Sequence, residues 1–210
     1  METTVRRPPL DDLRIVGGNL ALDFVNTRSG PRHGPADAEW LSSYDDFAAW
    51  SRRVAGHDTG PVRSGPAASR PAGVDAVGAF ARVLDCRDDM DEAFRQLAEG
   101  LAPPDAALRR LQLAYVEALA HGRLAGDADG YAWRWDPGSD LLAPLWPVVA
   151  AAIELLTARP AERIKPCQAC RFLFLDQSKN GSRRWCSMED CGKAAKIARY
   201  LQRRSDAQAR

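Results

Sequence analysis

Four cysteines in the last quarter of the chain constrain its fold more than any other feature. They follow the pattern Cys167-x2-Cys170-x15-Cys186-x4-Cys191, so all four fall within 25 residues. Two short pairs separated by such an interval are the usual ligand arrangement of a zinc site. Four thiolates at ~2.3 Å fill a tetrahedral shell and leave no position for water or substrate. We therefore predict one structural zinc ion, held by Cys167, Cys170, Cys186 and Cys191.

The distribution of cysteines and apolar residues also indicates a compartment. Disulfide-stapled secreted domains scatter their cysteines more widely and follow an export signal, whereas residues 1–10 are polar and hold two prolines. The most apolar stretch, 141–158, contains Pro144 and Pro147, which favours a buried helix over a membrane span. We expect a cytoplasmic protein, with the fifth cysteine, Cys86, as a small buried apolar residue.

The residues around the cysteines predict a small finger. Segments 172–175 and 182–185 have the composition of strands, and 176–181 supplies turn residues between them. After Cys191 an apolar spacing typical of a helix continues to about Arg204. This order of knuckle, β-hairpin and helix predicts a treble-clef or ribbon-like fold.

The remainder of the chain predicts a mainly helical body with a little strand. The composition changes at Arg159-Pro160, so we predict a helical domain over 1–159, with a possible role in sensing a ligand or partner, and a zinc finger over 160–210. Alternating residues predict two short strands, at 19–26 and 131–135, which we expect to pair. Half of the residues in 56–73 are Gly, Pro or Ser, which indicates a loop, and 122–130 is interpreted as turn-rich. Helices are predicted at 43–56, 77–101, 108–119 and 141–158.

Charge is divided unequally between these two parts. Residues 159–210 hold 13 Lys and Arg against 5 Asp and Glu, and residues 1–158 hold 16 against 23. Four thiolates and one Zn²⁺ lower the net charge of the basic part from +8 to +6. Concentrated positive charge beside an aromatic ring, here Trp185, suits a nucleic-acid backbone. The candidate contacts are Arg183, Arg184, Lys193, Lys196, Arg199 and Arg203.

Residues beyond the cysteines resemble those of a known family, the CGNR zinc finger. They are Cys167-x2-Cys170-x3-Phe174-x-Asp176-x-Ser178-x-Asn180-x2-Arg183-Arg184-Trp185-Cys186-Ser187-Met188-x2-Cys191-Gly192. The segment Leu20-x-Leu22-Asp23-Phe24-x-Asn26-Thr27 is similar to the opening of the ABATE domain, which usually precedes that finger. The resemblance implies a bacterial, stress-related transcription regulator whose finger binds double-stranded DNA. The family's Cys-Gly-Asn-Arg tetrad is Cys191-Gly192-Lys193-Ala194 here, so the two-pronged hydrogen bonds of the arginine are lost while Lys193 keeps a charge.

Other interpretations of the sequence stay open. Asp23 and Asn26 are polar positions in an apolar run, and they either line a ligand pocket or form buried hydrogen bonds. The sequence shows no Ser/His/Asp ordering, phosphate loop or paired-carboxylate motif, so we do not predict an enzyme. Instead of binding DNA, the zinc unit could dock on an acidic partner or on the chain's own body, or it could be a thiol switch that peroxide oxidises. A homodimer would be expected if the target is palindromic, but the sequence itself does not demand one.

Overall fold

The computed structural model describes residues 5–55, 75–127, 130–136, 140–157 and 159–208. Within these ranges the fold is mainly helical, with three small antiparallel strand pairs, as predicted. The loop predicted at 56–73 lies outside the described residues. The helices are α1 (Leu20–Val25), α2 (Tyr44–Val54), α3 (Ala76–Ala98), α4 (Asp105–His121), α5 (Trp146–Thr157) and α6 (Lys193–Gln208). The strands are β1 (Arg28–Ser29), β2 (Ala38–Glu39), β3 (Gly122–Asp127), β4 (Gly130–Trp135), β5 (Ile164–Pro166) and β6 (Leu173–Leu175).

Helix α1 lies at the centre of the body. The side chain of Asn19 accepts the N–H of Ala21 at 2.9 Å and so caps the helix. Helices α3 and α5 and strand β6 pack around it. The Phe24 ring lies 5.8 Å from that of Phe47 and 5.2 Å from that of Trp50, both on α2. The body is therefore built around a short helix that is buried from residue 21 to residue 25.

The strand predicted at 19–26 is wrong, because this segment forms α1. Alternation indicates a strand only when one face of the segment is polar and exposed. Here even Asp23 is buried, so the segment has no exposed polar face, and its pattern cannot distinguish a strand from a helix. The Asn19 side chain caps the start of the segment and so stabilises the helix.

The predicted partner of the second strand is also wrong. Strand β4 pairs with β3, which occupies the segment interpreted as turn-rich. A β-carbon at position 122 would lie 2.9 Å from the indole nitrogen of Trp135 and 3.0 Å from the ring of Trp133. Gly122 thus serves the packing of two tryptophan rings on the neighbouring strand rather than a turn.

The hairpin of the zinc-binding part is present but lies in a different place from the one predicted. Strand β6 pairs with β5, which precedes the first cysteine pair, and Ile164 stands opposite Leu175. Residues 182–185 are not a strand. The two cysteines of the first pair therefore lie in the connection of the hairpin, and we call residues 163–192 the zinc module.

The zinc module shares its apolar core with the body. Cys167, Phe172, Leu173 and Phe174 are buried in the same cluster as the residues of α1 and α5. The buried core therefore continues across residue 160, and the division into two domains predicted there stays a prediction. Within the residues that the structure describes, every helix falls short of the length or apolar character needed to cross a membrane.

Candidate metal centre and nucleic-acid interface

The first cysteine pair is positioned by the backbone of the β5–β6 hairpin. The N–H of Cys167 donates to the carbonyl of Phe172 at 2.8 Å, which closes the turn around the pair. The N–H of Gln168 donates to the carbonyl of Arg184 at 3.0 Å. This second bond brings the chain segment that leads to Cys186 alongside the first pair.

The second pair is positioned by a π-helical turn, Met188–Gly192, that leads into α6. The Ser187 hydroxyl accepts the N–H of Asp190 at 3.3 Å and caps this turn. A β-carbon on Gly192 would lie 3.0 Å from the sulfur of the exposed Met188 side chain, so Met188 packs closely over this turn. Cys191 thereby ties the start of α6 directly to the metal centre.

The four sulfur atoms converge on one point. All four Sγ atoms lie within 4.8 Å of one another. The Cys186 sulfur is 3.6 Å from those of both Cys170 and Cys191. These separations are far longer than the ~2.05 Å of a disulfide, and they match the ~3.8 Å edge of a tetrahedron with zinc–sulfur bonds of ~2.3 Å. The residues fit one structural zinc ion, as the sequence predicted.

Hydrogen bonds within the cluster shift its thiols in opposite directions. Those from Cys170 and Cys186 lower the pKa of Cys167, while the same contacts raise the pKa of Cys170 and of Cys186. Its sulfur also accepts the N–H of Ala169 at 3.5 Å. Zinc coordination removes the remaining thiol protons. When bound, the ion supplies a rigid crosslink between the β5–β6 hairpin and the start of α6.

A buried carboxylate shapes the loop between the two cysteine pairs. Asp176 is fully buried and accepts from the Lys165 ammonium at 2.8 Å, from the Ser178 hydroxyl at 2.6 Å and from the Arg183 N–H at 3.0 Å. Burial alone would raise the pKa of Asp176, but these hydrogen bonds lower it below its usual range. The loop wraps around this carboxylate, which is why 182–185 does not continue as a strand.

Arg183 faces inward. Its guanidinium lies 4.3 Å from the centre of the Phe174 ring and donates to the carbonyl oxygens of Trp185, at 2.9 Å, and Cys186. Another N–H reaches the Val16 carbonyl at 3.4 Å. Arg183 is one of the six predicted nucleic-acid contacts, but its guanidinium binds backbone carbonyls beside the second cysteine pair.

The other five predicted contacts are exposed. Arg184 lies 5.1 Å over the Trp185 ring and donates to Gln168 at 2.7 Å. Helix α6 carries no buried residue, and it holds five cations against the single acid Asp206. At 3.6 residues per turn, the α6 cations fall within an arc of about 140°. These five α6 cations are the four predicted contacts Lys193, Lys196, Arg199 and Arg203, together with Arg204.

The exposure of α6 bears on an alternative left open by the sequence. A basic helix docked on the acidic body of its own chain would bury part of its surface. Ile197 is 49% exposed and Leu201 is 57% exposed, although both belong to the apolar side of the helix. Within the described residues, α6 projects from the zinc module without such docking.

Asp23 and Asn26 form structural hydrogen bonds. The Asp23 carboxylate is buried and accepts the Gly17 N–H at 2.7 Å. Burial raises the pKa of Asp23 to about 6, while backbone hydrogen bonds from Gly17 and Val16 oppose that rise. The Asn26 amide donates to the Leu173 carbonyl and accepts the Leu173 N–H, both at 2.9 Å. Both residues thus form the buried hydrogen bonds of one interpretation, and a ligand pocket at them stays a prediction.

Several residues that join the zinc module to the body gave no signal in the sequence. Arg32 donates to the Cys167 carbonyl at 2.9 Å. Arg14 pairs with Asp190 at 2.9 Å, and Arg171 pairs with Asp91 on α3 at 2.8 Å. A single arginine whose partner is distant in sequence forms no local motif, so the sequence does not reveal its role. Asn26 is the exception, because a polar residue in an apolar run does stand out.

The fold and the site together define a helical protein with a four-cysteine zinc finger packed on its body. Two family models match: ABATE, described as "Putative stress-induced transcription regulator", over residues 18–159, and the CGNR zinc finger over residues 163–204. The chain therefore belongs to the ABATE family and carries the CGNR finger, which confirms the resemblance seen in the sequence. No curated protein matches the chain.

Proposed function

We propose that this protein is a transcription regulator that binds double-stranded DNA through the basic side of α6. The observation that carries the proposal is the exposure of α6 together with its charge. A helix without a buried residue that follows a metal ligand, Cys191, by two positions is anchored at its start and leaves its surface to a partner. Duplex DNA fits such a helix because its phosphates are closely spaced anions and its major groove admits an α-helix.

Four cations of α6 are the proposed phosphate contacts: Lys193, Lys196, Arg199 and Arg203. Arg184, on the loop that leads to Cys186, is proposed to add a fifth. Arg183 is left out of this set because its guanidinium is used within the zinc module. Lysine is a compact point charge, so Lys193 in the tetrad is proposed to contribute affinity rather than base selection.

The proposed role is binding and not catalysis. The four thiolates form a complete shell, so the metal offers no open position to a substrate. The families that match are a transcription regulator and a zinc finger, and neither is enzymatic. We also propose a cytoplasmic location, because a bacterial regulator acts on the chromosome there and reducing conditions keep thiolates available for zinc.

Genomic footprinting of the tagged full chain tests this function. We expect discrete protected sites for the unmodified protein and their loss in the double variant Lys196→Ala/Arg203→Ala. The matched control is Arg52→Ala/Arg109→Ala, which removes the same charge from exposed positions on α2 and α4. Sites that persist in the α6 variant, or that disappear equally in the control, would contradict the proposal.

A further inference from the structure

An open groove on the body, between α3 and α4, has a volume of about 260 Å³. Each helix lines it with four residues at the spacing i, i+3, i+4, i+7, from Arg82 to Asp89 on α3 and from Arg110 to Glu117 on α4. Leu145 and Trp146, where α5 begins, complete the lining. Because the helices run antiparallel, the basic end of each stripe meets the acidic end of the other.

Ion pairs close both ends of the groove. Arg82 pairs with Glu117 at 2.6 Å. The Arg110 Nε donates to both carboxylate oxygens of Asp89, at 2.8 and 2.9 Å. Both arginines are thus neutralised, and neither is left to attract an anion.

The middle of the groove holds two polar groups that lack partners within the described part of the chain. Asp85 is exposed to solvent at the opening of the groove and forms no hydrogen bond or ion pair with the described residues, so it gives the lining a net negative charge. Trp146 is only 1% exposed, and its indole N–H has no acceptor. A buried donor left unpaired is uncommon and needs a cause. Stacking on His121, with ring centres 5.7 Å apart, keeps the Trp146 ring in place.

The other groups in the middle are small or apolar. Cys86 is buried, and burial raises the pKa of its thiol to about 12, so it stays a neutral thiol at physiological pH. Ala114 faces the same space from α4. The groove therefore combines a partly apolar floor with an exposed carboxylate, Asp85, and with a tryptophan whose buried indole N–H has no acceptor among the described residues.

The geometry points to a binding site for a small organic cation between α3 and α4. Its amine would pair with Asp85, its apolar or aromatic part would lie against Leu145 and Trp146, and an acceptor atom would satisfy the indole N–H. The volume lies just below the ~300 Å³ at which pockets for drug-sized ligands begin, so it suits a smaller molecule. This site goes beyond DNA binding, and it involves no residue of α6.

Three probes with one skeleton test the site: tyramine, 3-(4-hydroxyphenyl)propionate and 4-ethylphenol, which are cationic, anionic and neutral. The measurement is the set of indole N–H signals of the zinc-loaded full chain by NMR, with that of Trp146 identified by its loss in Trp146→Phe. The chain has 6 tryptophans, so the other signals report on selectivity. We expect tyramine to shift the Trp146 signal with a Kd of the order of 1 mM, and the other two probes to bind about fivefold more weakly.

Three variants make the result decisive. Asp85→Asn should weaken tyramine about fivefold and leave 4-ethylphenol unchanged, because only the charge is removed. Asp12→Asn, the same change at an exposed position outside the groove, should alter neither. Ala114→Leu fills the cavity and should abolish the shift while zinc content and the dispersion of the other indole signals are retained. A Trp146 signal that no probe moves would overturn the proposal, as would equal binding of the three probes with no effect of Asp85→Asn.

Discussion

Replacement of Asn26 by alanine should weaken the attachment of the zinc module to the body. The Asn26 side chain makes two buried hydrogen bonds of 2.9 Å, to the N–H and to the carbonyl of Leu173. Asn26→Ala leaves both backbone groups buried without a partner. Each such loss costs about 1–3 kcal/mol, so the variant should lose about 2–6 kcal/mol of unfolding free energy. For a chain of this size that corresponds to a fall in Tm of roughly 5–20 °C.

Urea denaturation of the zinc-loaded protein measures this loss. The same variant should also transfer its zinc to a chelator faster, because β6 is no longer fixed against α1. Asn180→Ala is the matched control, since Asn180 is exposed in the loop between the cysteine pairs, and its effect should stay within about 0.5 kcal/mol. If Asn26→Ala were as mild as this control, the joining of module and body through Asn26 would be refuted.

Three further predictions concern the metal, a buried acid and an inward-facing arginine. Cys191→Ser should lower the zinc content measured by elemental analysis and reduce the Tm by ~10 °C or more, because the structural ion contributes several kcal/mol to folding; an unchanged content would contradict four-cysteine ligation. Burial raises the pKa of Asp23 from 3.8 to about 6, so its contribution to the unfolding free energy is fully present below pH ~4. About 3 kcal/mol of that free energy is lost as the pH rises through 6. Urea unfolding should show this dependence in the unmodified chain and not in Asp23→Asn. Arg183→Lys should reduce the stability in urea unfolding by about 1–3 kcal/mol, because lysine cannot reproduce the planar guanidinium on Phe174 and its paired carbonyls; an unchanged stability would contradict this role of Arg183.

The metal centre was predictable because its information is local in sequence. Cysteine spacing limits where sulfur atoms can meet, so four residues within one short segment were enough to define the ion and its role. Long helices such as α3 and α4 were likewise predictable, since each exposes one polar face to solvent. Helix α1 and strand β3 were not, because burial of residues 21–25 removes the period of the first and tryptophan packing places Gly122 in the second.

Joining of the two parts could not be predicted, because it depends on contacts between distant residues. Arg14 and Asp190 are 176 positions apart, and Asn26 and Leu173 are 147 apart. The sequence marked Asn26 as a polar residue in an apolar run but could not choose between a ligand and a backbone partner. In the same way, the inward direction of Arg183 follows from the Phe174 ring and the carbonyls around it, whereas the sequence shows only a cation beside a cysteine.

The central claim, that exposed cations of α6 neutralise DNA phosphates, is tested most directly by the salt dependence of affinity for a duplex, measured by fluorescence anisotropy on the full chain. With four or five phosphates neutralised, log K should fall against log salt with a slope of about −3.6 to −4.5. Lys196→Ala/Arg203→Ala should make this slope shallower by about 2, and the control Arg52→Ala/Arg109→Ala should leave it unchanged. An affinity that does not respond to salt, or one whose slope is the same in the α6 variant, would contradict the account.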